Sequence, residues 1–234
     1  MDTGTLHLPV METAAASAPL WSVIPFNRWS VVAATILALL VLGEFMRIFS
    51  RLVDCLARNR GSLELEHSVS LARSRNHCAL GLLPALILVI DRYGVLLPSF
   101  APGVEKAFLR FAAAAAVPLG WMLLRLLMQT LFFAFAPRRL DGESRATVRH
   151  IPFNFFCLGM AVMLATLGLM VLGGASDASV RAMVTVWLAL FWALSTYRTG
   201  LFLSGGCSRF STFLYLCSSE FVPAGMVAAT ALAL

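Results

Sequence analysis

The stretch IPFNFFCLGMAVMLATLGLMVL, residues 151–172, contains no Asp, Glu, Lys, Arg or His. About 20 consecutive apolar residues in a helix cross the ~30 Å hydrocarbon core of a bilayer. Within lipid, a helix satisfies every backbone N–H and C=O from its own segment, which an open strand cannot do. A run of this kind therefore constrains the chain more than any motif does.

Comparable runs recur at about Ser30–Phe49, Cys78–Leu97, Ala107–Phe135, Ala182–Leu203 and Ser211–Leu232. The second is the least clean, because its apolar part stops at Asp91-Arg92 and reaches full length only by continuing through Tyr93 to Leu97. The third is long enough to tilt or protrude. Composition agrees: 59% of the residues are hydrophobic and 13% charged, about half the charged share of a soluble domain. The expected fold class is all-α, a polytopic transmembrane helical bundle of about six spans.

Orientation follows from Arg and Lys near the span ends. Arg47, Arg51, Arg58, Arg60, Arg73 and Arg75 surround the connection after the first span. Arg138, Arg139, Arg145 and Arg149 fill the one after the third. The intervening connection has only Arg92 and Lys106. This asymmetry predicts both termini outside, with basic cytoplasmic loops at about 50–77 and 136–150. Residues 1–29 are expected as a short external segment, and residues 30–234 as the transmembrane domain. No basic residue precedes Arg28, so the start lacks the positive n-region of a cleavable signal. Trp21, Phe26 and Trp29 suit the outer interface.

In the first basic loop, Gly61 is expected to end the helical extension of the first span. SLELEHSVSL, residues 62–71, then alternates apolar and polar residues with period two. A short strand competes there with a surface-lying or partner-docking strip. The arginines attract anionic lipid by about 1 kcal/mol each close to the surface. They also satisfy the topology rule, so no nucleic-acid partner is expected.

Four ionisable residues lie well inside spans: Glu44, Arg125, Arg198 and Glu220. At the helical rise, Glu44 and Arg198 sit roughly 8 Å from the cytoplasmic helix ends, and Arg125 and Glu220 roughly 15 Å. An arginine at a span centre costs roughly 2.5–3.5 kcal/mol on an insertion scale. Glu44 and Arg198 are shallow enough to snorkel; Arg125 and Glu220 need partners in the bundle. The last two spans are joined by a short turn, making Arg198–Glu220 the expected pair, with Arg125 and Gln129 sharing the network. Tyr197, Tyr215 and Cys217 flank the pair, and Pro223 is expected to free backbone carbonyls one turn beyond Glu220. These nine residues form the candidate intramembrane polar cluster. Small residues at four-residue spacing (Ala112, Ala116, Gly120; Ala161, Ala165) are expected at close helix contacts.

The C-terminal stretch is the most distinctive. YRTGLF from Tyr197, followed by FLYLCSSEFVP ending at Pro223, resembles a family of uncharacterised multi-spanning inner-membrane proteins of Bacteroidota, a domain of unknown function. That family's pattern is an aromatic-Leu-Tyr-Leu-Cys run leading to a Glu and then a Pro. The matching positions are Phe213, Leu214, Tyr215, Leu216, Cys217, Glu220 and Pro223, with Tyr197 and Arg198 upstream. The resemblance implies a bacterial inner-membrane location and a helical architecture, and no chemistry.

No zinc-protease, P-loop or nucleophile-elbow motif occurs in the sequence. Ser218 and Ser219 have no neighbouring base in the sequence, and catalysis is not expected. The cysteines stand singly and the histidines lie outside the spans, so neither a metal site nor a cofactor is expected. Two functions remain. One is an accessory, assembly or scaffold component that sits in the bilayer and binds membrane-protein partners through its cytoplasmic loops. The alternative is a small carrier or channel using the Arg/Glu cluster for an anion or a proton.

Overall fold

The structure, a computed structural model, describes Trp21 and residues 24–57, 59–96, 107–135 and 142–233. Among these residues it is helical, with no strand. The elements are α1 (Pro25–Ala57), α2 (Asn59–His67), α3 (Val69–Tyr93), α4 (Ala107–Phe135), α5 (Gly142–Leu172), α6 (Asp177–Gly206), α7 (Arg209–Leu216), a π-helical turn (Cys217–Phe221) and α8 (Val222–Ala233). Among the described residues, five helical segments are long and apolar enough to cross a membrane: α1, α4, α5, α6 and the segment beginning at Arg209. The chain is thus an all-α polytopic transmembrane bundle.

The remaining long helix, α3, is the innermost. It lies antiparallel to α1, as shown by the Ser74–Glu44 hydrogen bond near one end and Trp21–Asp91 near the other. Gly81 permits the close approach: a Cβ there would lie 2.6 Å from Val41 Cγ1. Leu82, Leu86 and Ile90 of α3 pack with Ala114, Met160, Met163, Val180 and Val184 from three other helices. With its apolar run flanked by Arg73, Arg75, Asp91 and Arg92, α3 has the least hydrophobic sequence of the long helices and the most protein around it.

The element boundaries correct several expectations. The helix that contains the expected second span, α3, already begins at Val69 and ends at Tyr93, where Gly94, with a φ of +62°, stops it in the left-handed region. Gly61 does not terminate a helix but lies inside α2. A Cβ on it would come within 2.9 Å of the Asp54–Cys55 backbone, so glycine lets α2 fold back onto α1. The period-two stretch from residue 62 is helical: Leu65 is fully buried against Ile48, Leu52, Cys55 and Cys157. Packing against two neighbouring helices there overrides the alternation.

Pro25 opens α1, where its missing N–H costs no hydrogen bond. Asn27 Nδ2 donates to the Trp21 carbonyl at 2.9 Å, tying the preceding chain to that first turn. Most of the expected external segment lies outside the described residues. The Ala112, Ala116 and Gly120 stripe faces outward. The buried small residue of α4 is Ala114, on the other side. Ala165 also faces outward and Ala161 is half-buried. The close contacts are made instead by Gly81 and by Gly159, where a Cβ would meet the Phe191 ring at 2.7 Å.

Candidate functional site

The final crossing is not one continuous α-helix. Pro223 has no N–H, and in a regular helix its ring would clash with the carbonyl of Ser219. Widening the turn relieves this: the Val222 N–H reaches back to the Cys217 carbonyl, and residues 217–221 form the π turn. The hydroxyls of Ser218 and Ser219 donate to the Tyr215 carbonyl at 3.1 and 2.8 Å, supplying hydrogen bonds where the backbone ladder changes pitch.

Glu220 sits in this turn, 1% exposed. Its Oε1 accepts from Arg125 Nε at 3.0 Å and Nη2 at 2.6 Å. Arg125 is 4% exposed, and its Nη1 donates to the Arg149 carbonyl at 3.4 Å. The Gln129 amide presents its oxygen, since its nitrogen would face guanidinium donors. That oxygen accepts from Arg125 Nη2 and Nη1 at 2.9 and 3.1 Å, and from the Tyr215 hydroxyl at 2.8 Å. Phe132 and Phe133 close over Tyr215, and Trp121 lies 5.8 Å from the guanidinium carbon. An acid, a base, an amide and a phenol thus satisfy one another in a buried part of the bundle.

The pairing corrects the expected one: Glu220 is held by Arg125 of α4, not by Arg198. Arg198 is half-buried on α6, and neighbouring Tyr197 is 62% exposed, facing outward. Cys217 is half-buried in the π turn and Pro223 is buried beyond it. Glu44 is separate, accepting a hydrogen bond from Ser74 on α3. Of the nine predicted residues, Arg125, Gln129, Tyr215 and Glu220 converge.

Two further ionic clusters escaped the sequence reading. At the arginine-rich end, fully buried Arg75 pairs with Glu66 of α2, and its Nε and Nη2 bond Asn76 Oδ1 at 3.1 and 3.0 Å. His150 Nδ1 approaches the other Glu66 oxygen at 3.2 Å. Burial works to raise the Glu66 carboxyl, but the hydrogen bonds from His150 and Arg75 outweigh it and hold it below the ordinary carboxylate range. This clasp joins α2, α3 and α5. At the opposite end, buried Asp91 accepts from Trp21 Nε1 at 2.7 Å and lies 3.1 Å from Arg110 Nε. The Asp91-Arg92 break in the apolar run was the visible signal for that cluster. Arg75 gave none, since an arginine next to a span reads as topology.

Among the described residues no group of three His, Cys, Asp or Glu side chains is placed to hold a metal ion. A half-open crevice of about 400 Å³ lies between α4 and α5, lined by Thr130, Phe133, Ala134, Gly142, Arg145, Ala146 and Arg149. Neither Arg125 nor Glu220 lines it. Comparison with protein-family models, with curated proteins and with solved structures yields no match to this chain.

Proposed function

We propose that this integral membrane protein is an accessory or scaffold component of the bacterial inner membrane. In this proposal it has six crossings, outward termini and cytoplasmic arginine-rich loops. The observation that carries the reading is the closure of the Arg125–Glu220 cluster. A carrier must open its charged site to water on at least one side. Here the guanidinium is committed to Glu220, Gln129 and a backbone carbonyl, and both charges are buried. Such a cluster fixes the rotation of α4 against the last crossing. The resemblance of the C-terminal stretch supports the inner-membrane placement.

The carrier reading draws on one observation. The hydroxyls of Ser195, Thr196 and Thr199 on α6, and of Thr212 on α7, are buried without a hydrogen-bond partner among the described residues. A polar stripe of this kind would suit a hydrated route.

Reconstitution into sealed vesicles separates the two. A scaffold gives proton and chloride flux equal to empty vesicles. Photo-cross-linkers at exposed Glu64, His67 and Val69, in and beside α2, then capture one defined membrane partner in cells. Flux above background that disappears in Glu220→Gln would replace the scaffold with the carrier. Reporter fusions at both termini test the orientation.

A further inference from the structure

Glu44 is the exception among the acids whose side chains are described. Asp54, Glu64, Glu66, Asp91, Asp177 and Glu220 each lie within 4.0 Å of an arginine. Glu44 stands inside the apolar stretch of α1, where a carboxylate without a cation is most costly. It is half-buried, and the Ser74 hydroxyl donates to one of its oxygens; the other has no partner among the described residues. One turn further along α1, Arg47 is exposed and forms neither an ion pair nor a hydrogen bond among the described residues. An acid and a base three residues apart are neighbours on a helix surface, yet these two are not bonded to each other. Ser74 draws Glu44 towards α3, and Arg47 stays outside.

α1 is also peripheral. It packs along α3, while Ile36 and Leu40, 53% and 71% exposed, form an open face with Gly43 and Arg47. Their spacing of four, three and four residues aligns them on one side of the helix. A Cβ on Gly43 would meet nothing within 4 Å, so another helix can approach closely there. Lipid tails cover the apolar part of this face equally well, but they offer Glu44 no cation. We propose that a second copy of this chain docks on it, giving a two-fold dimer in which Glu44 of each copy pairs with Arg47 of the other. About an axis along the membrane normal, the two α1 helices run parallel at equal depth, and each contact is made twice. Arg47 lies about 4.5 Å along the helix from the level of Glu44. Helical side chains lean towards the N-terminus, which brings the guanidinium back to that level. One sequence thus supplies both charges, for a scaffold or a carrier alike.

The test uses the full chain, tagged with donor or acceptor fluorophores, in lipid vesicles at decreasing protein-to-lipid ratio. Energy transfer in the wild type is expected to follow a monomer–dimer equilibrium. Glu44→Gln keeps an acceptor for Ser74, so the fold and its thermal midpoint stay unchanged, while dimerisation weakens roughly tenfold or more as two charge-assisted contacts are lost together. Arg47→Gln does the same. Glu44→Arg alone and Arg47→Glu alone are monomeric, but mixing the two restores the dimer. In that mixture no helix carries an internal acid–base pair at positions 44 and 47, so recovery identifies a contact between copies. Should either charge reversal fail to insert, the two glutamine variants still decide the matter. A wild-type chain that stays monomeric at every ratio would overturn the dimer, as would cross-linking of Glu44 in cells to a different membrane protein. Glutamine variants that associate like the wild type would overturn the pairing, and so would folded reversal variants that do not recover on mixing.

Discussion

Glu220→Leu should cost this protein about 3 kcal/mol, and adding Arg125→Met should return most of it. In the single variant Arg125 loses both of its bonds to Glu220, at 3.0 and 2.6 Å, while remaining 4% exposed. Two magnitudes bracket the loss. Hydrogen bonds between membrane helices average about 0.6 kcal/mol, so two are worth roughly 1 kcal/mol. Stranding one member of a buried ion pair costs roughly 3–5 kcal/mol. The second governs here, because the guanidinium is buried beside Trp121 and donates to the Arg149 carbonyl. Gln129 still accepts from it, which places the expected value at the lower end.

R125M/E220L removes both charges and leaves apolar groups of similar length, so the expected loss is roughly 1 kcal/mol, giving a coupling of several kcal/mol. Reversible unfolding in mixed micelles measures all four corners of the cycle. Fluorescence of Trp121 beside Arg125, and of Trp192 against Phe221 at 5.5 Å, reports on the site. Additivity within about 0.5 kcal/mol would refute the pairing. The same cycle with Arg198→Met in place of Arg125→Met should come out additive, whereas the connectivity of the last two crossings would have made it the coupled one.

Two other outcomes follow from the packing. Gly81→Ala should destabilise by about 1–3 kcal/mol, because its Cβ meets the stiff β-branched Val41 side chain at 2.6 Å; Val41→Ala in the same chain should restore the wild-type midpoint, and no rescue would mean that the contact is not the cause. Glu66 has a depressed carboxyl, so its contribution is fully present above its ordinary value of 4.5 and is lost as pH falls through the lower folded value. Hydrogen exchange across residues 59–67, corrected for intrinsic rates, should stay protected from pH 7 to 5 and open below, with Glu66→Gln open throughout; opening already between pH 7 and 6 would place the controlling proton elsewhere.

How much of this was legible depends on which physical quantity the sequence encodes. Span existence is written in residue type, and the run at residues 151–172 leaves one solution in lipid. Boundaries were less legible because amphipathic ends continue a helix past its apolar part: α5 begins at Gly142, well before Ile151. The strand alternative at residues 62–71 rested on alternation at Leu63, Leu65, Val69 and Leu71, which fits a strand locally, whereas these residues lie in α2 and the start of α3. The true determinants of α2, the Gly61 approach to α1 and the Glu66 clasp to Arg75 and His150, are contacts distant in sequence.

The Arg198–Glu220 expectation failed for a more specific reason. Adjacent helices joined by a short turn do pack together, as Gly200 against Leu216 shows, but adjacency does not fix which faces meet. Each residue turns an α-helix by about 100°, so one inserted residue redirects everything after it. The π turn is such an insertion, and it begins at Cys217, three residues before Glu220. Pro223 announced a break in the ladder without giving the direction of the new face. On α6 the buried face runs through Ser195, Thr196, Thr199 and Leu203, leaving Arg198 at its margin. On α4, Arg125 and Gln129 lie one turn apart, so a single inward face supplies both the base and the amide. The rule suggested by these residues is that a deep charge near a proline is paired by whichever helix the altered turn faces. Here that helix is α4, which is distant in sequence and carries a second polar group to complete the arginine's hydrogen bonds.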